Sequence, residues 1–223
     1  MQRISITGDA ASGKTELAYY LCSNHEYSFF SIGQLYLDLL EFCKDEIILN
    51  DRLISGYENF VDDQLSNNKF ELAFKSEHLN NSISIQKLRL FKSIKSVTGE
   101  KGAKNLYILN HWVNHDKITK RINDFIFKFL ESDSTNLIID GRRGFLFSKK
   151  NIFLTANFDI RAKRLMKSKK YSLRDSYDIL RETDKRDKKM NYHAKNSPNT
   201  HIIDTTKFDL KELFILTENI LKL

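Results

Sequence analysis

A chain of 223 residues with 41% hydrophobic content, one proline and eight glycines can bury a globular core without disulfides or structural metals, which excludes collagen-like and disordered classes. Its two cysteines, Cys22 and Cys43, form no CxxC pair or zinc-spaced cluster, and no run approaches the ~18 uncharged apolar residues of a membrane span, so a soluble, cytoplasmic, monomeric protein is expected. The net charge of +7 is uneven: Lys149 to Lys195 carries 15 Lys/Arg against 6 Asp/Glu, leaving the remainder at about −2.

In chain order, Ile4-Ser5-Ile6 is a short run of strand character, and Thr15 to Cys22 follows with Leu17, Ala18 and Leu21 at helical spacing. Between them lies Gly8-Asp9-Ala10-Ala11-Ser12-Gly13-Lys14-Thr15, a GxxxxGK[ST] phosphate loop. Its glycines let the backbone wrap a phosphate, its N–H groups point inward, and the following helix offers its positive end. Lys14 is expected to neutralise the β- and γ-phosphates of ATP, and Thr15 to ligate Mg²⁺. Tyr27 to Ile32, Asn136 to Asp140, Asn151 to Thr155 and Thr200 to Asp204 are further apolar runs, each leading into a helical pattern. Strands alternating with helices predict an α/β fold with a five-stranded parallel sheet covered on both faces. Phe70 to Ile85 alternates weakly around Asn80-Asn81 and reads as an inserted antiparallel hairpin. Residues 99 to 115 carry no assignable pattern, and Leu210 to Leu223 predicts a closing amphipathic helix.

A phosphate loop alone leaves kinase, GTPase, ATPase and switch functions open. The base-reading NKxD string of GTPases is absent, since Asn123-Asp124 and Asn191 lack the required neighbours. The basic segment has no RNP, zinc-finger or KH signature, and its cations alternate with apolar residues at helical spacing. A site for phosphorylated small molecules explains it as well as nucleic acid does, and a solvated helix face explains part of it. A compact chain with such a segment in its C-terminal third fits a small-molecule kinase whose cationic lid closes over phosphates. No nucleic-acid or membrane partner is expected.

Further strings sharpen this reading. Phe30-Ser31-Ile32-Gly33-Gln34-Leu35-Tyr36 is similar to a D-S-G-x-x-Y helix opening, and Leu137-Ile138-Ile139-Asp140-Gly141-Arg142 to an I-x-x-D-G-R strand end. Ile152-Phe153-Leu154-Thr155-Ala156 followed by Arg161-Ala162-Lys163-Arg164, then Asp184-Lys185-Arg186-Asp187, then Ile203-Asp204-Thr205-Thr206, complete an ordered series. With the phosphate loop and the 70–85 segment, these resemble the bacterial cytidylate kinases, a branch of the P-loop nucleoside monophosphate kinases, over most of the chain. The resemblance implies one domain with a core of 1–40, 134–157 and 198–223, a small β-containing monophosphate-binding insert at about 41–133, and a helical lid at about 158–197. It also implies ATP-dependent, Mg²⁺-assisted phosphorylation of CMP or dCMP.

On that resemblance Lys14, Asp140 and Arg142 are the catalytic residues. Gly8 to Thr15 with Arg161 and Arg164 bind ATP, and Thr15 and Asp140 serve Mg²⁺ or its waters. Gly33, Tyr36, Ser93, Arg142, Arg186 and Asp187 bind the acceptor. Each residue also has a plainer reading: Asp140 as a helix cap, Arg142 as a surface ion pair, the lid charges as a solvated run. The departures from the family pattern fall on the acceptor side. Ile32 and Leu37 stand for a serine and an arginine, Arg143 for a carboxylate, Met190 and Thr119 for arginines, with Arg121 one turn on from Thr119. An acceptor other than CMP, or nucleotide binding without turnover, therefore stays open.

Overall fold

The computed structural model describes residues 1–33, 35–36, 116–132, 135–169 and 171–223. They belong to two compact units, Met1–Ile32 with Thr135–Leu223, and Gly33–Ser134.

The first unit holds β1 (Arg3–Gly8), α1 (Lys14–Asn24), β2 (Ser28–Ser31), β3 (Leu137–Asp140), a 3₁₀ turn (Gly144–Leu146) and β4 (Lys150–Thr155). α2 (Asp116–Ser132) belongs to the second unit; α3 (Phe158–Lys169), α4 (Leu173–Lys195), β5 (Thr200–Asp204) and α5 (Leu210–Leu221) complete the first. The five strands form one parallel sheet in the order β2-β3-β1-β4-β5. Each expected strand is present within a residue or two of its apolar run. β1 and β4 are buried on both faces, Ile4 to Thr7 and Asn151 to Leu154 respectively. That double burial gives β4 its unbroken Ile152-Phe153-Leu154 run, whereas β1 fills alternate buried positions with Ser5 and Thr7. β5 is an edge strand and leaves Ile202 54% exposed.

β1 lies between β3 and β4, so the chain leaves it towards one side of the sheet and later crosses to the other. Parallel pairing aligns the strand ends: Asp140 pairs with Ile6 and with Ser31, Gly8 with Leu154, and Thr155 with Asp204. The crevice beyond the carboxyl ends of strands, where the order reverses, is the place such sheets bind ligands.

α1 buries Leu17, Ala18 and Leu21 at the spacing the sequence shows. Tyr20 stacks on Phe214 of α5 with ring centroids 3.9 Å apart, and its hydroxyl donates to Glu218 at 2.7 Å. α5 starts where expected because Asp209 and Glu212 close a reciprocal capping box. Beneath the sheet edge opposite the ligand crevice, buried Asn151 accepts from the Ser5 and Ser148 hydroxyls, both at 2.6 Å, and donates to the Pro198 carbonyl at 3.1 Å. This satisfied network ties β1, β4 and the approach to β5 in one register.

In the second unit α2 buries Ile118, Ile122, Phe125, Ile126, Phe129 and Leu130, a three-to-four spacing that identifies a helix additional to the expected elements. The expected hairpin at 70–85 and the segment 99–115 lie outside the described residues.

Candidate active site

The site is built first by the turn after β1. Gly8 has φ +134°, and a Cβ there would sit 2.0 Å from the Leu154 carbonyl oxygen, so only glycine lets the chain leave the sheet this closely. The next amide, Asp9 N–H, still bonds that carbonyl at 2.9 Å. Ala11 adopts φ +58°, a left-handed conformation costing a non-glycine residue about 1 kcal/mol, which surrounding structure must hold. The loop is braced from inside: the Ser12 hydroxyl donates to the Asp9 carbonyl at 2.8 Å and the Lys14 ammonium to the same oxygen at 2.5 Å. α1 then begins at Lys14, presenting first-turn amides that lack intrahelical acceptors.

Loop, sheet and C-terminal helices are joined by side chains. The Asp9 carboxylate accepts from the Thr155 hydroxyl at 2.6 Å and from the Asn191 amide of α4 at 3.0 Å. The Thr205 hydroxyl lies 3.0 Å from the Ser12 carbonyl and 3.1 Å from the Thr155 carbonyl, sharing one proton between them, and accepts from Arg164 at 2.8 Å. Arg164 also donates to the Thr205 carbonyl at 2.7 Å. Buried Arg161 forms a two-pronged ion pair with Asp184, at 2.9 and 2.6 Å, and donates to the Ala156 and Ala10 carbonyls at 3.1 and 3.3 Å. Both arginines thus bond the loop or its neighbour, Arg161 at the Ala10 carbonyl and Arg164 at Thr205.

At the end of β3, Asp140 and Arg142 flank Gly141, whose φ of +143° turns the chain past Ile32; a Cβ would meet that side chain at 2.9 Å. Arg142 pairs with Asp187 of α4 at 2.6 Å, and Asp187 also accepts from its neighbour Arg186 at 3.0 Å. Asp187 is 8% exposed at its side chain against 39% for Arg142, so the carboxylate is the enclosed partner. Burial pushes the Lys14 ammonium below its ordinary pKa, with Asp140 opposing and Arg142 adding to the shift. Burial pushes the Asp140 carboxyl up, against Lys14 and Arg142. Burial also lowers Arg142, whereas Asp187 supports its charge. Lys14, Asp140, Arg142 and Asp187 therefore form one electrostatic group whose charges are costly to shield from water and are matched chiefly by one another.

Of the residues expected from sequence, the first unit gathers Gly8 to Thr15, Asp140, Arg142, Arg161, Arg164, Arg186 and Asp187 around these strand ends. Gly33 and Tyr36, one exposed and one buried, belong to the second unit, and Ser93 lies outside the described residues. Thr155, Asp184 and Asn191 carry bonds that the sequence reading does not assign. A signal exists on α4: Asp184, Asp187 and Asn191 recur at i, i+3 and i+7, between buried Leu180 and Ala194. The remaining cations of the basic segment divide differently. Lys163, Lys167, Lys169, Arg174, Arg181, Lys185, Lys188 and Lys189 are exposed, the solvated helix face of the plainer reading. Cys22 is shielded, and burial pushes its thiol up to about 12, an inert group at neutral pH. Among the described residues no cluster of three His, Cys, Asp or Glu could hold a metal by itself, and no helix is long and apolar enough to cross a membrane.

A parallel five-stranded sheet with a phosphate loop after its central strand, and a lysine and a carboxylate converging at the switch point, defines a P-loop kinase fold. A family model described as the cytidylate kinase-like family matches residues 3–210, and the chain belongs to that family. No curated protein matches it. Among solved structures it is similar to TT1252 from Thermus thermophilus, at 14% identity over 99% of this chain and 96% of that one, with a TM-score of 0.53. It is likewise similar to an uncharacterized protein from Eubacterium ventriosum, at 13% identity over 100% and 99%, with a TM-score of 0.55. At such identities the likeness speaks for the fold alone.

Proposed function

We propose that this kinase transfers the γ-phosphoryl group of ATP to a nucleoside monophosphate, CMP or dCMP first. The observation that carries the reading is the convergence of Lys14, Asp140 and Arg142 at the strand ends, in a chain that belongs to the cytidylate kinase-like family. The loop amides and Lys14 bind the donor phosphates, and Arg142 holds the acceptor phosphate in line. The developing charge falls between cations already fixed by the fold, so little reorganisation is required. On this reading the insert at about 41–133 binds the acceptor and the basic segment at about 158–197 is the lid.

The residues fit Mg²⁺. Thr15 offers an exposed hydroxyl at the start of α1, and Asp140 is a carboxylate whose charge is disfavoured by burial until a cation joins it. Magnesium retains waters and takes few protein ligands, so a hydroxyl and one carboxylate suffice beside phosphate oxygens. When bound it would neutralise phosphate charge. The chain's own residues do the rest: Lys14 anchors the donor, Arg142 orients the acceptor, and Asp187 holds the Arg142 guanidinium in place.

A second reading, transfer to a different phosphorylated acceptor, is favoured by one observation. Ile32 is buried and wedged under Gly141, at a position where the resembling kinases carry a serine. An apolar side chain there removes a hydroxyl from the acceptor side. ATP-dependent product formation across a panel of nucleoside monophosphates tests both. Conversion of CMP and dCMP above the rest supports the first reading. Silence with both at high enzyme and turnover of another acceptor supports the second.

A further inference from the structure

Asp9 occupies the second position of the phosphate loop, and a carboxylate there places negative charge beside a site for a polyanion. Each of its two oxygens is nevertheless engaged by a side chain from outside the loop. One accepts from Thr155 at the end of β4, the other from Asn191 near the end of α4. Asn191 shares a stripe of α4 with Asp187, one turn earlier, which holds Arg142, and with Asp184, which holds Arg161 and through it the Ala10 carbonyl. Three bonds from one face of one helix thus reach the loop twice and the acceptor-side arginine once. α4 runs as one unbroken helix from Leu173 to Lys195, so Asp184, Asp187 and Asn191 are carried on the same element. Any displacement of Asn191 is therefore carried to Asp187.

We propose that Asp9 and Asn191 are a positioning pair that couples nucleotide at the phosphate loop to Arg142 through α4. Resting on the donor-site reading above, the inference adds how the two halves of the site communicate. Filling the cradle fixes the loop, the Asp9–Asn191 bond then fixes α4, and Asp187 holds Arg142 at the place where the acceptor phosphate arrives. Coupling of this kind is reciprocal, so a change at α4 alters donor affinity by the same factor.

A reciprocal exchange tests the bond. Asn191→Asp puts two carboxylates face to face and is expected to weaken binding of a non-hydrolysable ATP analogue with Mg²⁺ by about tenfold. It is also expected to abolish analogue-induced protection of residues 184–195 from amide hydrogen exchange. Adding Asp9→Asn restores complementarity: the new amide donates to the carboxylate introduced on α4 while its oxygen still accepts from Thr155. Affinity should return to within about threefold of the original, with the protection. Asp9→Ala with Asn191→Asp has the same net charge but no donor, and should stay weak. Asn191→Asp binding as tightly as the unmodified chain would overturn the proposal, as would equal rescue by both double variants. If Asn191→Asp fails to fold, judged by circular dichroism, Asn191→Ala replaces it; unchanged affinity and unchanged α4 protection there overturn the proposal equally. Analogue binding and exchange are read without phosphoryl transfer. Absence of turnover in the unmodified chain counts against the kinase reading alone.

Discussion

Gly8 to Thr15 and the Arg142–Asp187–Arg186 cluster stand on the same edge of one sheet but are made of different material. The loop is mainly backbone: a glycine that no other residue can replace without meeting the Leu154 carbonyl, a left-handed alanine, and a carbonyl of Asp9 gripped by Ser12 and Lys14. The cluster is side-chain charge alone, one enclosed carboxylate between two half-exposed arginines from different elements. Backbone geometry tolerates few sequences, whereas charge pairs can be rebuilt with other partners. On the proposed reading, the donor half of the site is therefore constrained in form and the acceptor half free to change, as Ile32 and Arg143 illustrate.

The sharpest way to break this contrast is at Lys14. Lys14→Ala is expected to lower phosphoryl transfer by roughly 10³-fold or more with only a small fall in the thermal midpoint, because losing the bond to the Asp9 carbonyl and the charge beside Asp140 is offset by relief of an unfavourable ammonium burial. Steady-state kinetics and a melting curve check both parts. Gly8→Ala attacks the backbone instead. With its Cβ 2.0 Å from the Leu154 carbonyl oxygen the change should destabilise the fold by about 3 kcal/mol, read from urea denaturation; a loss under about 0.5 kcal/mol would show that the turn is not confined. Arg142→Lys tests the charge cluster. Point charge survives but the planar fork does not, so kcat/KM for the acceptor should fall by about 10- to 100-fold with KM for ATP little changed. Equal loss for both substrates would mean that Arg142 serves the donor half as well.

The smallest expected effect concerns pH. The Asp140 carboxyl titrates above its ordinary 3.8 because of burial, so between these values the folded chain keeps a proton that the unfolded chain has released. Its contribution to stability therefore declines as pH rises through the raised pKa. Asp140→Asn lacks this titration, and its stability relative to the unmodified chain should climb as pH increases above 3.8. Denaturation curves at several pH values measure the slope; an opposite slope would place Asp140 in a more favourable environment than burial among Lys14 and Arg142 gives.

How much of this can be read from the sequence follows the same division. Strands are legible because double burial leaves unbroken apolar runs such as Ile152-Phe153-Leu154, and the loop because Gly8, Gly13 and Lys14 sit at fixed spacing. Asp140 and Arg142 are legible as a strand-end pair. The partner of Arg142 is not, since nothing in a linear string says that Asp187 rather than Asp184 faces it. The sequence assigns Arg161 to the ATP site but says nothing of its bonds to Asp184 and to the Ala156 and Ala10 carbonyls, which join residues far apart in the chain. α2 is absent from the expected elements although Ile118, Ile122, Ile126 and Phe129 mark its buried face, an omission of pattern reading rather than a silence of the sequence. Ser93 and the 70–85 hairpin lie outside the described residues.

The enclosure of Asp187 has one further consequence, for ionic strength. On the proposed reading, a phosphate arriving at Arg142 does not land on a bare cation but on a guanidinium whose Nε already faces a carboxylate. The charge met there is that of Arg142 and Arg186 offset by Asp187, not the basic segment's excess of nine positive charges. Acceptor binding should accordingly respond to salt less steeply than binding by a field of exposed lysines, since charges enclosed by the fold are screened less than exposed ones.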